Sequence, residues 1–361
     1  MKTYNCICGQ LIFFQNFACM NCGRELGFLP DSLQMSSLDP ETDALWRPTV
    51  ESARGSLYKK CANYAKENVC NWMVPSAGAD SFCVSCRLNE MIPDLGLAPN
   101  RDLWAITEGA KRRLVYSLLH FHLPVSSKKD DPQRGLAFRF LSDTTNSDGT
   151  VTRAMTGHEN GTITINISEA DDAGREKLRR ELREPYRTLL GDFRHESGHY
   201  YWDRLVLNTQ FLEPYRALFG DERADYGEAL KRHYSTGAPG NWQDSFISAY
   251  ATSHPWEDWA ETWAHFLHID DTLEVAHDFG LVGKHLITEA EKKRRESQAP
   301  PPPNSYEATV KAWCDLAVPL NSINRSMGLP DLYPFVLSQP VMAKLKFISE
   351  VVAGTTHAAA V

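Results

Sequence analysis

The chain has 361 residues, a formal net charge of −8, and 42% hydrophobic and 11% aromatic residues. That length allows roughly two or three domains with a sizeable core, and the acidic balance disfavours a general nucleic-acid-binding role. No apolar run approaches the ~18 residues of a membrane span. The longest is about Leu11–Phe14, and the N-terminus lacks the apolar core of a secretory signal. The chain therefore reads as cytoplasmic.

Eight of the nine cysteines fall into two groups of four. The first is Cys6, Cys8, Cys19 and Cys22; the second is Cys61, Cys70, Cys83 and Cys86. A Cys-x2-Cys pair places two thiolates on one tight turn, and two pairs complete a tetrahedral sulfur shell around zinc. Gly9 and Gly23 follow their cysteines, where such a turn needs permissive backbone. Paired disulfides are the alternative, but cytosolic thiols stay reduced, so metal is favoured. Cys314 is left over and reads as a buried free cysteine.

Residues 1–30 read as a small four-cysteine zinc ribbon, too short to hold a core without its metal. Residues 31–52, rich in Ser, Asp and Pro, read as a linker. Residues 53–98 form a second four-cysteine zinc module, with Trp72, Phe82, Met91 and Leu95 free to pack against a larger body. The nearby Arg54, Lys59, Lys60, Lys66 and Arg87 read as a solvated face rather than a nucleic-acid contact.

The main domain is expected over 99–298. Apolar residues from Leu103 to Leu119 repeat at helical period, with Asn100 as a candidate cap. His120, at the end of this helix, reads as a favourable C-terminal charge. Residues 135–141 and 161–167 read as strands, with turn signals at Asp148-Gly149 and Asn160-Gly161.

His195-Glu196-Ser197-Gly198-His199 is an H-E-x-x-H motif in a helical pattern expected from about Pro185 to Leu207. One helical turn sets the two histidines on one face, where they can grip one zinc ion. Glu196 then stands beside the metal as a candidate base. Trp202 and Leu205 occupy the positions where the metzincin extension needs its glycine and third histidine, so the third ligand comes from elsewhere.

The best source is the segment from Tyr250 to His265. Pro255 suits a first helical turn, and Glu257 and Glu261 then share one face. Glu257 is the favoured ligand, and Glu261 is expected to accept the N–H of a ligating histidine. Asp258 fits an acidic first turn that offsets the helix dipole. Asp225 is the main rival ligand, and His265 could support the site. His254 could bind substrate or cap the helix. The Gly/Pro-rich stretch 235–241 reads as a mobile rim.

Four consecutive prolines at 300–303, after the charged run 289–296, suggest a stiff spacer over 299–304. Residues 305–361 read as a helical C-terminal segment packing on the main domain. The polar residues of Asn321–Gly328 are candidate helix caps.

The H-E-x-x-H motif followed by a glutamate-bearing helix resembles the gluzincin branch of zinc metallopeptidases. The spacing of Tyr250, Glu257 and Glu261 is similar to that of the anthrax lethal factor protease. The segments Glu184–His195, Glu257–His265 and Asn324–Phe335 resemble a bacterial family of zinc-binding metallopeptidases with an N-terminal zinc ribbon. The resemblance implies a zincin-like fold, so the expected class is α+β, with small N-terminal zinc-ribbon modules and a helical C-terminal segment. In zincins of this kind, a strand such as 161–167 borders the cleft and pairs with extended substrate; the other reading is an ordinary interior strand.

The implied activity is peptide-bond hydrolysis on protein or peptide substrates, with one catalytic and two structural zinc ions. His195, His199 and Glu257 would hold the catalytic zinc, and Glu196 would be the general base. The resemblance implies that Tyr250 assists catalysis, as a donor to the developing oxyanion. The zinc ribbon could recruit a protein partner. The other reading is a protein-binding or regulatory module whose zincin fold is inactive or occluded.

Overall fold

The computed structural model describes residues 2–42, 44–146, 148–181, 187–282 and 305–358. Pro185, the charged run 289–296 and the prolines 300–303 lie outside the described residues. The chain forms two compact units, Met1–Glu196 and Ser197–Val361.

The first unit opens with a two-stranded antiparallel pair, β1 (Tyr4–Asn5) and β2 (Leu11–Ile12). Gly9 and Gly23 take φ of 87° and 72°. Each donates its N–H at 2.8 Å to the carbonyl of the cysteine that opens its turn, Cys6 or Cys19.

A five-stranded sheet comes next, in sequential order: β3 (Leu26–Leu29), β4 (Gln34–Pro40), β5 (Trp46–Pro48), β6 (Tyr58–Lys60) and β7 (Met73–Pro75). A short helix, α1 (Ala62–Ala65), lies between β6 and β7.

Residues 31–52, expected as a linker, thus supply two strands. Ser36 and Ser37 of β4 are sheet residues whose hydroxyls are satisfied internally. Ser36 Oγ accepts from the Thr49 and Val50 amides at 2.9 and 3.1 Å, and Ser37 Oγ meets Thr49 Oγ1 at 2.6 Å. A buried hydroxyl with partners costs little, so polar composition did not mark a loop here.

The long helix α2 (Asn100–His120) packs against this part of the chain. Phe14, Phe28, Trp72 and Tyr116 of α2 form one aromatic cluster with centroid separations from 4.6 to 6.1 Å. A ribbon too small for its own core shares that of its neighbours. Asn100 is the first helical residue rather than the cap, and its side chain donates to Asp94 O at 2.9 Å. Phe82 and Met91, expected to pack, are 41% and 49% exposed.

A four-stranded sheet has the order β12 (Gly157–Glu159), β13 (Thr162–Asn166), β9 (Ala137–Leu141), β8 (Asn89–Met91). Strand β9 runs parallel to both β13 and β8. Since β8 begins three residues after Cys86, the second cysteine module feeds a strand into this sheet.

Strand β13 is paired on both sides, so the expectation that it offers a free edge to substrate is corrected: β12 holds that edge. The β12–β13 turn has Asn160 and Gly161 at φ 48° and 79°, as a two-residue hairpin requires. A side chain at 161 would meet Gly135 O at 2.4 Å. A second hairpin pairs β10 (Thr144–Thr145) with β11 (Val151–Thr152), and α3 (Asp172–Glu181) comes after β13. Helix α4 (Leu189–Leu205) carries the H-E-x-x-H motif and contains the division between the units.

The second unit is helical: α5 (Leu212–Phe219), α6 (Tyr226–Thr236), α7 (Pro255–Asp278), α8 (Tyr306–Ser326) and α9 (Gln339–Ala358). Its core is built on Tyr201, Tyr215, Phe219, Trp259, Trp263 and Phe347, all buried. Among the described residues no helix is long and apolar enough to cross a membrane.

Candidate metal centres and active site

Three groups of side chains bring metal-ligand atoms to within 4.8 Å of one another: Cys6/Cys8/Cys19/Cys22, Cys61/Cys70/Cys83/Cys86, and His195/His199/Glu257.

In the first group, the Sγ atoms of Cys6 and Cys22, and of Cys8 and Cys19, stand 3.6 Å apart. In the second, Cys70 and Cys83 are 3.8 Å apart. Thiolates at ~2.3 Å from a tetrahedral zinc are roughly 3.8 Å from each other, whereas a disulfide bond is ~2.05 Å. The spacing fits zinc and excludes the disulfide alternative in this structure.

The Asn21 amide donates to Cys8 Sγ at 3.5 Å and leads in pulling that thiol down to about 6, toward the thiolate a metal takes. The second group is wholly buried. The Trp72, Cys83 and Cys86 amides point at the Cys70, Cys61 and Cys83 sulfurs, each at 3.4 Å. Cys314 is only partly buried. Of the nearby basic residues, Lys60 pairs with Glu25, Arg87 with Asp80 and Arg54 with Glu51.

The third group is built on α4 and α7. His195 and His199 are one turn apart on α4, while Glu257 lies in the first turn of α7 and is 1% exposed. His199 Nε2 and Glu257 Oε1 are 3.5 Å apart. Ligands at ~2.0–2.1 Å on a tetrahedron lie roughly 3.3–3.4 Å apart, so two imidazoles and one carboxylate fit zinc in type and spacing. Glu196, the next residue after His195, is 9% exposed.

Gly198 lets the helices approach. A Cβ there would stand 2.9 Å from Ala260 Cα and 3.2 Å from Trp263 Cβ. Trp259 Nε1 donates to Gly198 O at 2.9 Å, and Trp263 Nε1 to Ser197 Oγ at 3.1 Å. The start of α7 is fixed by His254, whose Nδ1 accepts from the Trp256 amide at 3.1 Å while Nε2 meets Ala224 O at 3.0 Å. Capping is therefore what the structure gives His254.

Other expectations move. Asp258 stands in the acidic first turn of α7, and in addition it is fully buried and accepts from Lys344 Nζ of α9 at 2.6 Å. Asp225, the rival ligand, caps α6 by accepting from the Glu228 amide at 2.9 Å. His265 Nδ1 bonds Tyr333 Oη at 2.8 Å and is outside the metal-ligand group. Asn321 brackets Tyr333 by bonding both its carbonyl and its amide, at 2.8 and 2.9 Å.

Tyr250 opens a 3-10 turn before α7. Burial first, and the charge of Glu257 second, push its phenol far above the ordinary tyrosine range, so it stays protonated. Glu261, partly buried, lies within electrostatic reach of Tyr250. Asp203, one turn beyond His199, is pushed up to about 6 by burial, with His199 opposing.

The family described as "Putative zinc-binding metallo-peptidase" matches residues 100–351, and a zinc-ribbon domain family matches residues 3–97. The chain belongs to this metallopeptidase family. Uncharacterized proteins of Mycobacterium tuberculosis and Mycobacterium bovis are each 42% identical over 354 residues, covering 98% of this chain and 95% of the relative. No solved structure matches it. The ribbon match spans both cysteine groups, which were expected as separate modules.

Two contributors escaped the sequence reading. Tyr226 Oη donates to Glu257 Oε1 at 2.7 Å, and the Trp256 ring lies 4.0 Å from that of His199. Trp256 adjoins Glu257, so the motif hinted at it. Nothing local marks Tyr226, which is 31 residues from its partner.

Proposed function

We propose that this member of the family hydrolyses peptide bonds in protein or peptide substrates, with His195, His199 and Glu257 as the protein ligands of a catalytic zinc. The observation that carries this reading is the clustering of those three donor groups, with His199 Nε2 and Glu257 Oε1 separated by 3.5 Å. Zinc held there would supply a Lewis acid that polarises the scissile carbonyl and lowers the pKa of water.

The chain's residues then divide the remaining work. Glu196 accepts the proton of the attacking water on its carboxylate and delivers it to the leaving amine nitrogen. Its place beside His195 on the same helix supports that role. The Tyr250 hydroxyl donates to the oxyanion that develops on the carbonyl oxygen, and its being held protonated supports this. Glu261 orients a ligating imidazole. The two cysteine groups each hold a structural zinc.

The test is hydrolysis of casein or a peptide library by wild type and by Glu196→Gln. Wild type should cleave; the variant should keep its metal and fold and lose the 10²–10⁴-fold typical of general-base catalysis, or more. Turnover at the wild-type rate in Glu196→Gln would remove Glu196 from the mechanism. Inert wild type with full metal content would favour a binding role.

A further inference from the structure

We propose that Tyr226 is a positioning residue of the metal centre, its hydroxyl fixing the Glu257 oxygen that faces His199. This rests on the reading that His195, His199 and Glu257 hold zinc.

The Tyr226 hydroxyl donates at 2.7 Å to Glu257 Oε1, and that same oxygen lies 3.5 Å from His199 Nε2. A carboxylate oxygen has two lone pairs. One can take the phenol O–H while the other faces a cation, so the two partners do not compete. Glu257 is 1% exposed, so this charge-assisted bond is little weakened by water.

Although its ring is 40% exposed, Tyr226 is held on two sides. His254 and Trp256 meet it edge-on, at centroid distances of 5.3 and 6.0 Å. Trp256 also packs on His199, and His254 reaches back to Ala224 O, two residues before Tyr226. Asp225 fixes the helix start from which the ring projects. The first turn of α6 is thereby tied to the first turn of α7 by a polar and aromatic clamp, and a bond to a proposed ligand runs through the Tyr226 hydroxyl. Without that hydroxyl the carboxylate loses a donor that orients it. Removing such a partner of a ligand costs about 10–100-fold in metal affinity.

The experiment compares the full-length wild type, Tyr226→Phe and Glu257→Ala in zinc titrations against a competing fluorescent chelator, with a thermal melt of each. Tyr226→Phe keeps the ring and its packing. It should bind the third zinc equivalent about 10–100-fold more weakly, with the first two equivalents and the melting temperature unchanged. A third equivalent bound within twofold of wild type would overturn the proposal, while leaving the reading beneath it intact if Glu257→Ala empties that site. A wild type that takes up only two equivalents would overturn both. Weakening of all three equivalents together would assign Tyr226 to the fold at large and also overturn the proposal.

Discussion

Gly198 shows how one residue can decide whether the proposed site assembles. It is interior to α4, where glycine costs about 0.5–1 kcal/mol relative to alanine. Proximity offsets that cost: an added Cβ would be 2.9 Å from the backbone of α7. Backbone cannot swing aside as a flexible side chain can. Gly198→Ala should therefore destabilise by about 1–3 kcal/mol, the usual range of overpacking, despite its better helix propensity, and should weaken the third zinc equivalent as α4 and α7 part. Denaturant unfolding with metal analysis measures both. A variant at least as stable as wild type would mean the two helices have room to spare. At this scale the sequence was legible where a relation is local. The His195/His199 spacing is one helical turn, and Cys19 and Cys22 share one tight turn. Capping by His254 was legible because the Trp256 amide is two residues away, whereas the partners of Tyr226 and Asp258 sit in other elements, far along the chain.

At the scale of elements, α9 secures the helix that carries Glu257. Lys344 gives its ammonium to Asp258 at 2.6 Å and to Ser245 O at 2.8 Å, with the rings of Phe246 and Phe219 at 4.3 and 5.5 Å. Removing one partner of a buried pair strands the other charge, so Lys344→Met should cost about 3–5 kcal/mol. Burial pushes the Asp258 carboxyl up to about 7, with Lys344 pulling it down. A raised folded-state pKa means its favourable contribution is full below the unfolded value of ~3.9 and is lost as pH rises toward 7. The loss in Lys344→Met should accordingly be larger at pH 8 than at pH 5, and Lys344→Met/Asp258→Asn should recover much of it. Urea titrations of the three proteins at both pH values test this; a difference below about 0.5 kcal/mol at each pH would show the pair to be idle. Elements with strong periodicity, such as α2, were readable. Strands β4 and β5 were not, because Ser36 and Ser37 of β4 look like loop residues until their bonds to Thr49 and Val50 are seen.

For the whole molecule, the chain holds two sulfur-lined groups in one unit and a histidine–carboxylate group on α4 and α7. The cysteine spacing announced the first two; in the third, the histidines are local to one motif, and Glu257 was named from its place in the first turn of the following helix. The second cysteine module was expected to pack against a larger body. The structure goes further: β8 leaves the second cysteine group and joins the sheet of β9 and β13. A unit that small gains its core by sharing it, and composition alone does not record sharing.

The most direct measurement is the zinc content of protein purified without chelator, taken for wild type, Glu257→Ala and Glu261→Ala. Three zinc ions per chain are expected for wild type and two for Glu257→Ala, without peptidase activity. Glu261→Ala should keep three under saturating metal, with slower turnover or weaker binding of the third. Three zinc ions retained by Glu257→Ala, or loss of the third in Glu261→Ala instead, would contradict the ligand set. A wild-type value of two would contradict the catalytic zinc itself.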